Sequence, residues 1–226
     1  MTADLWVNVF QLVMLIVALS IGIMRTVSNK TREWLLLSMF YFSYALGDLY
    51  WLLMIFFIGD LPRFGHIAEM AWYASYLFLL MLLNQVNFHS SKYRNKLLLL
   101  IPVFTIGSCI FFMQWGDYAS NLICTILATL IIWDAFKNLL YLKENKIKTS
   151  RAWIFRLTIV FFGLEYAEWY ASCIWKAEDF SNPYYYLEIL LTICMLLFLH
   201  AVRKMDMSPI NENDRPAAER RRENIT

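Results

Sequence analysis

Five carboxylic acids occur inside long apolar segments of the chain, where their charge needs a physical explanation. They are Asp48, Glu69, Glu165, Glu168 and Glu188. A charged side chain inside a bilayer costs about 2.5–3.5 kcal/mol on insertion scales, so such residues usually face a bundle interior or a water-filled cavity. Carboxylates beside indole and phenol rings suit a cationic ligand, because each ring adds about 0.5–2 kcal/mol of cation–π attraction to the charge pairing.

Helical spacing places aromatic side chains on the same faces as these acids. Residues three, four or seven positions apart lie on one face of an α-helix. Four segments carry such a face: Tyr44, Asp48 and Trp51; Glu69, Trp72, Tyr73 and Tyr76; Glu165, Glu168, Trp169 and Ser172; and Tyr184, Tyr185 and Glu188. We expect these faces to meet in one pocket. The predicted ligand-binding residues are Asp48, Trp51, Glu69, Trp72, Tyr76, Glu165, Glu168, Trp169 and Glu188.

The same residues also allow an interpretation without a ligand. Glu69 and Glu188 lie near the N-termini of their segments, where the helix dipole favours a carboxylate. Tryptophan and tyrosine at this depth are typical of the aromatic belts of membrane proteins. Glu165 and Glu168 are three residues apart, and two like charges that are partly desolvated are not expected to be ionised together. At least one of this pair is therefore expected to carry a proton when the pocket is empty.

The composition predicts that membrane-spanning helices position these side chains. Hydrophobic residues make up 60% of the 226, and the mean hydropathy is +0.49, whereas a soluble domain is about 45–50% apolar. Backbone groups in lipid have to be satisfied within their own segment, so we predict an all-α integral membrane protein. Seven segments are long enough to cross a bilayer: 4–24, 33–58, 65–88, 96–114, 117–143, 151–175 and 183–204.

Lysine and arginine are concentrated in alternate connections between these segments. They follow the first, third, fifth and seventh: Arg25, Lys30 and Arg32; Lys92, Arg94 and Lys96; Lys143, Lys146, Lys148 and Arg151; and Arg203, Lys204, Arg215, Arg220, Arg221 and Arg222. The other side has only Arg63 and Lys176. Since basic connections stay in the cytoplasm, the N-terminus is predicted outside and the C-terminus inside. We expect a multi-pass protein of the plasma membrane, with a seven-helix domain over 1–204 and a disordered cytoplasmic tail over 205–226.

The sequence carries no signature of the enzyme classes that we considered. It contains no HExxH, GxSxG, phosphate-binding loop or GxGxxG pattern. The four cysteines lie in apolar runs without paired spacing and are expected to be free thiols. None of the three histidines has ligand spacing with a cysteine. We therefore predict no catalytic residue, no metal site, no cofactor and no nucleic-acid partner.

The first three and last three segments share a loose pattern. "YALGDLYW", "GDLP" and "AEMAWY" in the first half correspond to "GLEYAEWY", "EDFSNP" and "YYYLEILL" in the second. Both halves run in the same membrane direction, which fits a three-plus-one-plus-three helix arrangement like that of parallel-repeat transporters. A small-solute transporter is therefore one alternative, with a polar route through Asn84, Gln85, Asp134 and Asn138. A membrane scaffold protein without a pocket is another.

The stretch "GDLYWLLMIFFIGDLP…AEMAWYASYLFL" resembles the multi-span N-terminal modules of some bacterial signalling proteins, including certain diguanylate cyclases. Asp48, Trp51, Gly59, Pro62, Glu69 and Trp72 carry the resemblance, which covers about a third of the chain. It implies a sensory or receptor-like role, with a small polar or cationic ligand bound from outside. No output domain follows the seventh segment, so the expected partners besides lipid and ligand are a separate signalling protein or further copies of the chain.

Overall fold

The computed structural model describes residues 3–58, 66–87, 95–177 and 179–207. Within these ranges the protein is all-helical, as predicted, and contains no strand. The helices are α1 (Ala3–Asn29), α2 (Arg32–Ile58), α3 (His66–Val86), α4 (Leu100–Phe112), α5 (Tyr118–Glu144), α6 (Ala152–Ile174) and α7 (Pro183–Asp206). Most of their bounds agree with the seven predicted segments to within two residues, but α1 continues to Asn29 and not to residue 24. At the two ends of α4, short 3₁₀ turns (Lys96–Leu99 and Met113–Trp115) occupy the predicted span.

Six of the seven helices are long and apolar enough to cross a membrane. The protein is therefore a membrane protein with a bilayer as its environment. The helix outside this group is α6, which is interrupted by Glu165 and Glu168 and lacks a sufficiently apolar stretch. Its crossing of the bilayer and the orientation of the termini stay predictions.

Local sequence signals explain where two helices begin. Asn182 precedes α7, and its side-chain oxygen accepts a hydrogen bond from the backbone N–H of Tyr184, with Pro183 at the first helical position. Asn95 caps the 3₁₀ turn before α4 in the same manner. Pro102 lies in the first turn of α4, just after the change from 3₁₀ to α geometry, where a missing N–H is tolerated.

Six helices form a closed ring, in the order α1, α2, α3, α5, α6, α7 and back to α1. The remaining helix, α4, packs against α5 and contacts α6 through aromatic pairs such as Phe104–Tyr166, with ring centroids 5.0 Å apart. Each of the first three helices has an equivalent among the last three in this neighbour order. This order is the one expected of a three-plus-one-plus-three arrangement, and a relationship between the two triplets stays a prediction.

Large aromatic side chains close one half of the ring. Phe40, Phe161, Phe162 and Phe198 are fully buried, and we call this set the aromatic floor. Its rings pack edge to face, at 5.8 Å for Phe40–Phe161 and 5.2 Å for Phe161–Phe162. This half adjoins the basic ends of the helices. Apolar packing of this kind leaves no room for water.

The end of α7 is tied to the connection between α1 and α2. The Asp206 carboxylate accepts hydrogen bonds from Asn29 Nδ2 (2.9 Å) and from the indole N–H of Trp34. The helix ends at Asp206, two residues beyond the predicted end of the helical domain at residue 204. The rest of the predicted tail, from residue 208 onward, lies outside the described residues.

Candidate functional site

A cavity of about 440 Å³ occupies the half of the ring opposite the aromatic floor. Side chains from all seven helices line it. All nine predicted ligand-binding residues are among them: Asp48, Trp51, Glu69, Trp72, Tyr76, Glu165, Glu168, Trp169 and Glu188. The predicted convergence of four helix faces on one space is therefore present in the structure.

Asp48 and Glu165 form the inner pair of acids, and both are held by aromatic donors. Each is only 2% exposed. The indole Nε1 of Trp72 donates to Asp48 Oδ1 at 3.0 Å. The hydroxyl of Tyr44 donates to Glu165 Oε1 at 3.1 Å, and the Tyr76 hydroxyl also hydrogen-bonds to Glu165. Because these donors are themselves packed in the core, the two carboxyl groups have fixed positions.

Gly47 makes the contact between Trp72 and Asp48 geometrically feasible. A Cβ atom at this position would lie 2.4 Å from Trp72 Nε1 and 2.7 Å from Cδ1 of the same ring. Only glycine leaves the indole this space against α2. The sequence "YALGDLYW" therefore encodes both the acid and the gap that admits its hydrogen-bond donor.

Glu168 and Glu188 form a second pair, joined by one phenol. The Tyr184 hydroxyl group is a hydrogen-bond partner of both carboxyl groups. The other oxygen of each acid, Oε2, is buried and has no hydrogen-bond partner among the described residues. Asp48 Oδ2 is also buried and has no hydrogen-bond partner among the described residues. Buried carboxyl oxygens without donors are uncommon and need an explanation, such as a bound ligand, ion or water.

The charge of the cavity is one-sided. Six of its lining residues are acidic: Asp48, Glu69, Asp117, Glu165, Glu168 and Glu188. None of the lining residues in the described part of the chain is lysine, arginine or histidine. No group of three or more histidine, cysteine, aspartate or glutamate side chains there has the geometry to hold a metal ion. The described lining of the cavity thus combines carboxyl groups and hydrogen-bond acceptors with aromatic rings, and its ionisable residues of acidic type are not matched by lysine, arginine or histidine within the same lining.

Partly exposed aromatic rings stand beside the acids. Trp51 and Trp72 are tilted against each other with centroids 6.1 Å apart. Across the cavity, Trp169 packs edge to face on Tyr166 at 5.3 Å. Glu69 lies in the first turn of α3, where the helix dipole explains a carboxylate without a ligand. The same interpretation fits Glu188 poorly, because α7 has no acid in its first turn.

The prediction from the sequence left out part of the cavity lining and placed one residue, Tyr185, there incorrectly. Tyr185 was placed on the pocket face with Tyr184, but it packs with Ala3 and Val7 outside the cavity. Residues from α1 and from the start of α5 complete the wall, namely Asn8, Gln11, Asp117, Ser120 and Asn121. Asn8 and Gln11 are buried and three positions apart in an otherwise apolar segment. That polar pair was the signal by which α1 could have been assigned to the pocket.

None of the four residues predicted to form a polar route toward the basic end, Asn84, Gln85, Asp134 and Asn138, lines the cavity. Asn84 is exposed on the outside of α3. Asn138 donates to the backbone oxygen of Asp134 within α5, and Asn87 donates to the Asp134 side chain. Between these residues and the cavity lies the aromatic floor, on which Tyr76 packs with a centroid distance of 5.3 Å to Phe162. In this conformation the cavity has an aromatic base.

Comparison with family models, with curated proteins and with solved structures finds no match to this chain. The resemblance to membrane modules of bacterial signalling proteins therefore stays a prediction. Of the residues that carry it, Asp48, Trp51, Glu69 and Trp72 line the cavity. Gly59 and Pro62 lie outside the described residues.

Proposed function

We propose that this protein is a receptor-like membrane protein that binds a small polar or cationic solute in the acidic, aromatic cavity. The proposal rests on the burial and the incomplete hydrogen bonding of Asp48 and Glu188. Each is 2% exposed, lines the cavity and has one carboxyl oxygen without a hydrogen-bond partner among the described residues. A donor from a ligand would satisfy both, and unsatisfied buried acceptors are costly.

The proposal places the cavity at the outer face of the plasma membrane. The basic connections adjoin the aromatic floor, so the positive-inside rule puts the floor toward the cytoplasm and the cavity toward the exterior. This arrangement requires seven spans, with α6 crossing the bilayer as well. The two glutamates that lower the hydropathy of α6 face the cavity and not lipid, which is the arrangement expected of charged residues in a spanning helix.

A ligand would be held by three kinds of contact. Carboxyl groups from α2, α6 and α7 would accept hydrogen bonds from it. The faces of Trp51, Trp72 and Trp169 would contact its apolar parts or a cationic group. The aromatic floor would exclude water beneath it and so strengthen each polar contact.

Transport is the second candidate, supported by the equivalent places of the two helix triplets in the ring. The aromatic floor favours binding without passage, because four buried phenylalanines would have to separate to open a route. Counterflow of labelled solute into liposomes separates the two functions. Binding without uptake supports the receptor, whereas uptake abolished by Glu165→Gln would establish the transporter.

The direct test of binding is a thermal-shift screen of small amines, quaternary ammonium compounds and neutral polar solutes against the purified full chain. A ligand is expected to raise the melting temperature in a concentration-dependent manner. Asp48→Asn is expected to remove the shift. Glu33→Gln is the matched control, since Glu33 lies in the first turn of α2 at the opposite end of the same helix. If no class of solute shifts the wild-type protein, the proposed function is wrong.

A further inference from the structure

Three carboxyl oxygens without partners belong to three different helices. They are Asp48 Oδ2 on α2, Glu168 Oε2 on α6 and Glu188 Oε2 on α7. All three acids line the same cavity, and Glu188 interacts electrostatically with Asp48 and with Glu168. This arrangement differs from a generally acidic surface, because the three acceptors are buried and belong to residues that line one cavity.

The number of these acids limits the charge of the occupant. A carboxyl group that stays protonated needs no counter-charge, but each one that ionises in this region of low dielectric does, and a neutral solute supplies none. A monocation balances one ionised carboxyl group and leaves the acids on the other helices without a donor of their own. A divalent metal ion needs several oxygen ligands converging at short distance, and the described residues hold no such group. An organic ligand with two or more positive charges fits both conditions.

The lining also restricts how those charges are carried. The vacant acceptors require N–H donors, which a primary ammonium group has and a quaternary ammonium group lacks. The wall between the acids is aromatic, with Trp72 tilted against Trp51 and against Tyr44 at centroid distances of 6.1 and 6.3 Å. Such a wall suits the apolar methylene chain that joins two ammonium groups.

We propose that the cavity recognises a linear diamine or polyamine, with separate ammonium groups bound by Asp48 and by the Glu168–Glu188 pair. This inference rests on the proposed binding function and adds the substrate class to it. The methylene chain lies against the indoles. Selectivity against monoamines comes from the second ammonium site.

Isothermal titration of the full chain in phosphatidylcholine nanodiscs tests the inference with three ligands of equal chain length. These are 1,4-diaminobutane, n-butylamine and 1,4-butanediol. We expect the diamine to bind at least tenfold more tightly than the monoamine, and the diol not to bind. Equal or tighter binding of n-butylamine overturns the inference, and so does binding of the diol. In either of these two cases the proposed binding function still stands.

Two variants assign the ammonium sites. Glu188→Gln is expected to reduce the preference for diamine over monoamine by at least tenfold, with butylamine affinity less affected. Glu33→Gln should keep the full preference. Unchanged selectivity in Glu188→Gln overturns the assignment. If none of the three ligands binds, the diamine inference is wrong, and the wider solute screen then decides whether the binding function is wrong with it.

Discussion

Trp72 of α3 donates its indole N–H to Asp48 of α2 across a gap of 3.0 Å. The bond is made possible by Gly47, which precedes the acid and leaves space for the ring. One oxygen of Asp48 is thereby used to join two helices, and the other is left toward the cavity without a partner. The residue is held in a fixed position and yet retains an acceptor that an occupant can use.

We expect Gly47→Ala to displace Trp72 and destabilise the protein by about 1–3 kcal/mol, as overpacking of a well-packed site does. The effect should appear as a lower melting temperature and a shift in tryptophan fluorescence. Gly163→Ala is the control, because nothing lies within 4 Å of a Cβ there. Alanine is otherwise the better helix former, so equal melting temperatures for the two variants would contradict the packing argument.

Tyr44→Phe removes the donor to Glu165 Oε1 and leaves a buried acceptor less satisfied. Loss of such a bond is expected to cost about 1–3 kcal/mol. Denaturation in mixed micelles measures the change. Tyr186→Phe, on the exposed face of α7, should have little effect, and a comparable loss there would show that the Tyr44 hydroxyl has no special role.

Infrared spectroscopy can detect the proton that is predicted on the Glu165–Glu168 pair. A protonated carboxyl group gives a C=O stretching band that a carboxylate lacks. We expect such a band in the ligand-free protein and its reduction in Glu165→Gln, with Glu33→Gln unchanged. A spectrum without a protonated carboxyl band at neutral pH would refute the prediction.

Thiol labelling reports the orientation and the charge of the cavity. Cys173 lines the cavity, whereas Cys194 is buried with its thiol directed at the backbone oxygen of Leu157. In single-cysteine variants on intact cells, we expect impermeant methanethiosulfonates to modify Cys173 and not Cys194. A cationic reagent should react faster than an anionic one, because the acidic wall attracts it. Modification of Cys173 only after the membrane is permeabilised would reverse the proposed orientation.

The turn before α7 gives a prediction on pH. A hydrogen bond from the Ser181 hydroxyl, with a second from its backbone N–H, holds the pKa of the exposed Asp179 carboxyl below its usual range. Its contribution to stability is therefore present above the unfolded-state pKa and is lost as pH falls through the lower folded-state value. In carbon-13 NMR titration of labelled aspartate, Ser181→Ala should raise this pKa, and Ser28→Ala should not.

Much of the fold could be predicted from the sequence, because few backbone structures are stable inside a lipid bilayer. Apolar length located six of the seven described helices, and the spacing of Asp48 from Trp51 or of Glu69 from Trp72 predicted which faces line the cavity. The acids themselves indicated the cavity, since a carboxylate in a spanning segment has few other stable environments.

Other features depended on how the helices pack, which periodicity does not specify. Tyr184 and Tyr185 are adjacent in sequence, and only the position of α1 determines that one reaches the acids while the other packs on Val7. The aromatic floor could not be predicted from the sequence for a related reason. Phe40, Phe161 and Phe198 read as ordinary apolar residues until three helices bring them together.

The bond between Trp34 and Asp206 gives α2 and α7 a fixed point at the floor end, far from Asp48 and Glu188. The Tyr41 hydroxyl adds a second link, to the backbone oxygen of Met195 at 2.7 Å. These two bonds fix the axial register of α2 against α7. The relative height of Asp48 and Glu188 in the cavity is therefore set by contacts made at the opposite end of the same two helices.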